Sequence, residues 1–239
     1  MDYTYQDYYD LPEDEILHFL TYDNITTSSS YIRVDNVGNT FVSNKEDILY
    51  ADWTSTDGYM KITTNYSHRS TDGAEKHYEV WARATWLKYP AIALRDAFVL
   101  GTSGTFDDSY DETGFVSQIF ECNSGCSRHT NRFRQVSNTN TEYEDLTMTY
   151  DSFVPELHFT PISPRCDYCG GSASDYSFTA YIRYGMIADE SVNIQAGYAH
   201  KTAGFGGISV GFDINGTPSF SASVSTLSEY IARPVTVSY

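Results

Sequence analysis

His77-Tyr78-Glu79-Val80-Trp81-Ala82-Arg83-Ala84-Thr85-Trp86, continued by Leu87-Lys88-Tyr89-Pro90, is the stretch whose reading decides the fold. Tyr78, Val80, Ala82, Ala84 and Trp86 fall on one side of a period-two pattern, and His77, Glu79, Arg83 and Thr85 fall on the other. Successive Cβ atoms of a strand point to opposite faces of a sheet, so this alternation specifies an extended segment with one apolar face. Two of the chain's three tryptophans sit here. Full burial of a large aromatic contributes about 1.5–3 kcal/mol. The segment is expected to be a central strand, with Pro90 ending its pairing and Ala97-Phe98-Val99-Leu100 supplying a second apolar run.

Outward from this strand the signals stay β. Upstream, Met60, Ile62 and Tyr66 share one face, and the loop through Ser70-Thr71-Asp72-Gly73 returns that strand to the central one as a hairpin. Tyr31-Ile32-Arg33-Val34 and Thr40-Phe41-Val42 flank the turn-rich Asp35-Asn36-Val37-Gly38-Asn39 and form another. Downstream, Phe115 to Phe120, Thr147 to Tyr150 and Phe153 to Phe159 read as strands, while Ser127 to Glu144 is polar and carries Arg128, Arg132 and Arg134. Phe178, Ala180, Ile182, Tyr184 and Met186 alternate, as do Val192, Ile194, Ala196 and Tyr198, and the pair is expected to be a hairpin. Ile208, Val210, Phe212 and Ile214 return through Phe220, Ala222 and Val224 around Asn215-Gly216. A two-residue Asn-Gly turn would set Phe212 against Ser219 and Val210 against Ser221, mixing apolar with polar on one face. A three-residue turn with Gly216 in a bulge restores the match and is the expectation. Gly197, Gly206, Gly207 and Gly211 are expected to mark bends or close backbone approach.

Composition narrows the class of protein. A chain of 239 residues can bury one sizeable core, and 15 Lys+Arg against 32 Asp+Glu give a formal charge of −17. Such a surface repels nucleic acid and anionic lipid over most of its extent, which argues against DNA or RNA as a partner. The 21 Tyr favour strands, and no apolar run approaches the roughly 20 residues of a membrane helix. Residues 1–30 are set apart as an acidic, Tyr-rich arm with no Lys or Arg, a short helix being expected around Ile16-Leu17-His18-Phe19-Leu20 and a flexible link at Thr26-Thr27-Ser28-Ser29-Ser30. Residues 31–239 then form one all-β domain. The start has neither a basic nor an apolar signal region, and with few Lys and abundant Tyr, Ser, Thr and Asn the expectation is an extracellular or surface protein whose signal has been removed.

Cys122-x3-Cys126 with Cys166-x2-Cys169 is the most specific local pattern. Four thiolates in two close pairs suit a tetrahedral zinc site, to which His129 offers a further nitrogen. They equally suit two disulfides, which across the pairs would close loops of about 40 residues and contribute roughly 3–4 kcal/mol. The extracellular composition places disulfides first and zinc second, an order that a reducing compartment would reverse. No cofactor is otherwise expected. Asp107, Asp108, Ser109, Asp111 and Glu112 resemble a cation loop, but Glu112 stands where the sharp-turning glycine of a calcium loop is required, so a solvated acidic loop is expected. The six histidines, His200 among them, are scattered and read as face or turn residues, and Arg95-Asp96 reads as structural. Asn24, Asn65 and Asn215 begin glycosylation sequons.

Trp86-Leu87-Lys88-Tyr89-Pro90 followed by Arg95-Asp96, with Tyr198-Ala199-His200 and Gly206-Gly207-Ile208, resembles a group of secreted proteins of Gram-positive bacteria that lack an assigned function. The resemblance implies export and a β-rich fold, and supplies no catalytic residue. The expected architecture is an all-β antiparallel sandwich or incompletely closed barrel with a short helical, acidic N-terminal arm. The leading function is a secreted binding or structural module whose exposed tyrosines meet protein or carbohydrate. One alternative is a membrane-active, pore-forming-like protein in which the Gly-, Ser- and Ala-rich strands from Ala180 to Thr226 rearrange into a membrane hairpin. Another is a hydrolase using paired carboxylates, although no local catalytic signature is present.

Overall fold

A computed structural model describes residues 24–35, 39–45, 58–88, 94–110, 112–122, 129–137, 146–151, 154–159, 173–204, 207–222 and 225–238. The strands are β1 (Thr26–Val34), β2 (Thr40–Ser43), β3 (Gly58–Asp72), β4 (Glu75–Lys88), β5 (Asp96–Thr102), β6 (Thr105–Asp107), β7 (Thr113–Cys122) and β8 (His129–Ser137), followed by β9 (Leu146–Asp151), β10 (Val154–Phe159), β11 (Ala173–Ala188), β12 (Val192–Gly204), β13 (Ser209–Phe212), β14 (Pro218–Ser221), β15 (Ser225–Ile231) and β16 (Val235–Val237). They form two main antiparallel sheets. Sheet A runs β2-β1-β3-β4-β11-β7-β8 with β6 added to β11, and sheet B runs β15-β12-β5-β10-β9 with β16 added to β12. The pair β13-β14 stands apart as a third, two-stranded sheet.

The stretch from His77 to Trp86 is the middle of sheet A, as its alternation requires. Tyr78, Val80, Ala82, Ala84 and Trp86 turn inward to meet Phe98, Leu100, Leu157, Phe159, Ile194, Ala196 and Tyr198 of sheet B in one apolar layer. Face-to-face packing of two sheets is the stable way for each to bury its apolar side. Tyr184 of β11 ties the layers together by donating its hydroxyl to the Leu100 carbonyl of β5 at 2.6 Å. Burial pushes that phenol far above its ordinary pKa, so it remains a donor at every accessible pH.

The sandwich is not closed into a barrel. Along one side the edges of the two sheets meet through side chains instead of a ladder. Thr40 Oγ1 donates to the Glu229 carbonyl (3.4 Å), Arg233 Nη2 to the Val42 carbonyl (3.2 Å), and Ser30 Oγ accepts the Arg233 N–H (2.9 Å).

Several expectations hold in detail. The β3–β4 hairpin forms, but Ser70 to Asp72 of the expected loop pair with His77 to Glu75 and the chain turns at Gly73-Ala74 with Gly73 at φ +61; β1 and β2 pair Val34 with Thr40. Others are corrected. Ser28 to Ser30, expected in a flexible link, pair with Thr64 to Ile62 within β1. The Phe178–Met186 and Val192–Tyr198 strands do not form a hairpin: β11 lies between β4 and β7 in sheet A, whereas β12 pairs with β5, β15 and β16 in sheet B. Alternation states which side of a strand is apolar, and two such strands can bury those sides facing each other across a core as well as side by side. The polar stretch from Ser127 contains β8, an edge strand that carries Arg132 and Arg134. The expected helix around Ile16–Leu20 lies outside the described residues.

Tyr184→Phe removes the intersheet hydrogen bond while keeping the ring, and is expected to lower unfolding free energy by about 0.5–1.5 kcal/mol in urea denaturation. A change below a few tenths would show that the bond does not hold the sheets together.

Candidate functional site

The β13–β14 hairpin is built by the alternation of its own sequence. Its register pairs Val210 with Phe220 and Phe212 with Pro218, the odd-turn arrangement expected from matching apolar positions. Asp213 N–H reaches the Thr217 carbonyl at 3.1 Å and Gly216 N–H reaches the Asp213 carbonyl at 2.9 Å, leaving Ile214-Asn215-Gly216 as a three-residue loop with Gly216 at φ +75. Asp213 Oδ1 accepts the N–H groups of Asn215 (2.8 Å) and Thr217 (2.9 Å). Thr217's N–H, against slight desolvation, together with Asn215's N–H holds this carboxyl below its ordinary pKa.

The hairpin has two chemically different faces. Ile208, Val210, Phe212 and Phe220 form one cluster with Ala97, Val99 and Ala199 on the outer side of sheet B. Ser209, Ser219 and Ser221 point to solvent. The floor is made of small residues, and two glycines set the distance. A Cβ on Gly197 would stand 2.8 Å from Pro218 Cγ, and one on Gly101 would stand 2.2 Å from the Gly216 carbonyl oxygen and 2.7 Å from the Phe212 ring. Among the described residues no hydrogen bond joins the hairpin to sheet B; the contacts described are apolar side-chain packing and close backbone approach of Gly216 to Gly101 and Thr102. At its tip Ile214 is 92% exposed.

Beneath this floor, on the opposite side of sheet B, lies a buried polar network. Trp86 Nε1 donates to Tyr198 Oη at 3.1 Å, Tyr198 Oη donates to Asp96 Oδ2, and His200 Nδ1 lies 2.8 Å from Asp96 Oδ1. Trp86 also meets the rings of Tyr198, His200 and Tyr230 edge-on at 5.5, 5.6 and 4.9 Å. Desolvation raises the Asp96 pKa, against the lowering influence of His200, Tyr198 and the Lys201 N–H. His200 Nε2 is buried and has no partner among the described residues. An aspartate orienting a histidine is one half of an acid–base apparatus, but this imidazole is buried and ties two neighbouring strands of sheet B, β5 and β12, while Trp86 and Tyr198 carry the network across to sheet A.

Three other buried carboxylates, those of Glu79, Glu156 and Asp107, are held by basic groups. Glu79 Oε1 accepts from Arg183 Nη1 and Glu79 Oε2 lies 3.6 Å from Arg69 Nε. His158 Nε2 is 3.0 Å from Glu156 Oε2. Asp107 Oδ2 lies 2.6 Å from His77 Nδ1, while its Oδ1 accepts from Ser109 N–H at 3.0 Å and Ser109 Oγ at 2.5 Å. Burial raises the Asp107 pKa, but these bonds from Ser109 and His77 outweigh it and leave the carboxyl below its ordinary value. The expected solvated loop is thus corrected for Asp107 and Glu112, which are buried.

Cys122 ends β7 opposite Ala173 of β11, and His129 opens β8 opposite Glu121. Cys126, Cys166 and Cys169 lie outside the described residues, as does Asp111. Tyr59, Tyr78, Tyr181, Tyr184, Tyr198 and Tyr230 are buried, so much of the aromatic content serves packing and not an exposed binding face. Sequence reading did not single out the Asp96–His200 pair, whose members are far apart in the chain and meet only through the β5–β12 register. A usable signal for the hairpin was present: between Lys201 and Glu229, Asp213 is the only charged residue.

No family model and no curated protein matches the chain. Among solved structures, one described as a pore forming protein aligns at 10% identity over 87% of this chain and 90% of its own, with a TM-score of 0.29. Clostridium perfringens delta-toxin aligns at 8% identity over 89% of this chain and 88% of its own, with a TM-score of 0.27. Likenesses at this level carry no weight for fold or activity.

Two outcomes are expected from this geometry. Gly101→Ala forces the Gly216 carbonyl and Phe212 ring away, so amide exchange across Ile208–Phe220 should rise while Val80–Ala84 stays protected; unchanged exchange would show that the hairpin is not seated by this contact. For Asp96, a folded pKa raised above the ordinary 3.8 means a contribution to stability that is complete below that value and is lost as pH rises through the folded pKa. Relative to Asp96→Asn, which lacks this titration, the wild type should therefore lose melting temperature as pH rises from the carboxylate range toward neutrality. A difference that is flat with pH would contradict the burial cause.

Proposed function

We propose that the protein acts on membranes, with the β13–β14 hairpin as the segment that leaves the sandwich and enters lipid. One observation carries this reading: an amphipathic hairpin almost free of charge packs its apolar side on the sandwich with no hydrogen bond to sheet B among the described residues. Undocking it breaks no described main-chain ladder. Its apolar face, lined by Ile208, Val210, Phe212 and Phe220, can exchange the floor of sheet B for hydrocarbon, and its Ser- and Gly-lined face suits a water-filled interior. Between the paired ends of β12 and β15, the runs 205–212 and 214–224 flank the single charge at the turn and come close to or reach the about 9–11 residues of a tilted membrane strand. Pro218 removes one ladder donor, but beside the turn, where the strand ends. Two strands leave open edges that hydrocarbon cannot satisfy, so insertion requires hairpins from several copies to close a ring.

The geometry also narrows the segment. β11 is paired on both sides, to β4 and β7, and β12 likewise to β5 and β15, so recruiting the whole of Ala180 to Thr226 would dismantle the centres of both sheets. Only the part beyond Gly204 is held loosely enough to move.

Dye release from phosphatidylcholine liposomes tests the reading. The wild type is expected to release dye. Val210→Lys puts a charge on the lipid side at a cost of about 2–4 kcal/mol near the bilayer midplane and should cut release at least about tenfold. Ser219→Lys, on the opposite face and exposed in the folded protein, should retain it. Wild-type protein without release, or Val210→Lys releasing as well as wild type, would refute insertion by this hairpin.

A further inference from the structure

We infer that the middle of the outer face of sheet A is the docking site of the chain's own N-terminal arm, residues 1–23, which covers an aromatic cluster on β4, β11 and β7. Trp81, Phe115 and Tyr181 form that cluster, apart from the main core. They point away from sheet B, because their neighbours along each strand, Val80 and Ala82, Val116, and Ala180 and Ile182, are the residues that face it. The ladders set Trp81 opposite Arg183, and Tyr181 opposite both Arg83 and Phe115, with the Phe115 and Tyr181 rings stacked at 4.7 Å. A solvated outer face would leave such rings open to water, yet Phe115 is 0%, Tyr181 1% and Trp81 5% exposed. Polar residues of the same face are closed off with them. Asn65 opposite Trp81, Ser67 opposite Glu79 and Thr179 opposite Thr85 are all buried. Sheet B lies on the other side, and Tyr110 packs only at the end of the face, on Gly185.

Ile25 identifies the cover. It packs against the cluster although β3 separates β1 from β4, so the chain ahead of β1 leaves on this side of the sheet. Thr26 pairs with Tyr66 and Tyr66 with Val80, which starts the arm level with the middle of β4 and beside Trp81. From β1 to β7 there are four interstrand steps, about 19 Å, a distance that about six extended residues span. The arm is longer than that, and its Ile16-Leu17-His18-Phe19-Leu20 run supplies apolar surface to match the rings. Its charge matches as well. Asp10, Glu13, Asp14 and Glu15 belong to a segment with no Lys or Arg, whereas Arg69, Arg83 and Arg183 belong to this face. Apolar contact seats the arm, and the opposite charges favour this face over the acidic remainder of the surface. With the arm in place the face is closed; without it, the sheet presents a contiguous aromatic patch of the kind that joins proteins.

The test reads Trp81 in solution. In a Trp53→Phe chain the remaining emitters are Trp81 and Trp86, and Trp86 is 2% exposed and bonded to Tyr198 in the core. The full-length protein is expected to resist quenching by acrylamide. Removing residues 2–23 should raise the Stern–Volmer slope severalfold with far-UV circular dichroism unchanged, and added peptide of residues 1–23 should reverse the rise. In the intact chain, p-benzoylphenylalanine in place of Phe19 should photo-cross-link to β4, β7 or β11 on peptide mapping. That second readout decides the matter where the truncated chain does not fold. Trp81 still protected in a folded truncated chain overturns the inference and assigns the cover to another segment. Cross-links confined to other parts of the protein overturn it equally.

Discussion

The sandwich is organised around a carboxyl group placed in an aromatic core. Asp96 points inward from β5 among Trp86, Tyr198 and Tyr230, where an unsatisfied polar group would be costly. It is tolerated because Tyr198, His200 and the Lys201 N–H all reach it, and because Trp86 completes the chain of hydrogen bonds from the opposite sheet. Such a network makes the relative position of the sheets specific, since each partner has one geometry in which it is satisfied. Tyr230 adds its ring from β15, and desolvation, with the nearby Asp96 charge, pushes its phenol well above the ordinary value.

That fixed core sets off the looser attachment on the other side of sheet B. The strands of the two sheets are bound by ladders on one or both edges, whereas the β13–β14 hairpin is bound by shape. Its seat depends on small residues, Ala97, Val99, Gly101, Gly197 and Ala199, which let backbone and rings approach closely. Packing of this kind is non-directional and can be exchanged for any other apolar surroundings, while a ladder cannot leave water without a replacement. The contrast separates a part of the molecule that must stay from a part that can leave.

Much of this was legible in the chain. The alternation of Tyr78 to Trp86 gave the middle strand and its buried side, and mismatched faces around Asn215-Gly216 required the odd turn that Asp213 and Thr217 close. The Phe178–Tyr198 region misled because its two strands obey the same alternation whether they pair or face each other. Asp96 and His200 escaped because a sequence does not display which residues of two strands come to the same level. The cysteine pattern, as far as it is described, places only Cys122, at the end of β7.

The sequence by itself determined the β class, the side of each strand that is apolar, and the kind of turn that joins β13 to β14. These are local properties, fixed by the period-two geometry of the extended backbone and by the steric freedom of glycine. Tertiary structure alone decided that β11 and β12 belong to different sheets, that a carboxylate, an imidazole, a phenol and an indole share one buried site, and that Trp81, Phe115 and Tyr181 gather on the outer face of sheet A. Those outcomes depend on strand order and register, which are set by how well whole faces pack and not by any residue's neighbours in the chain.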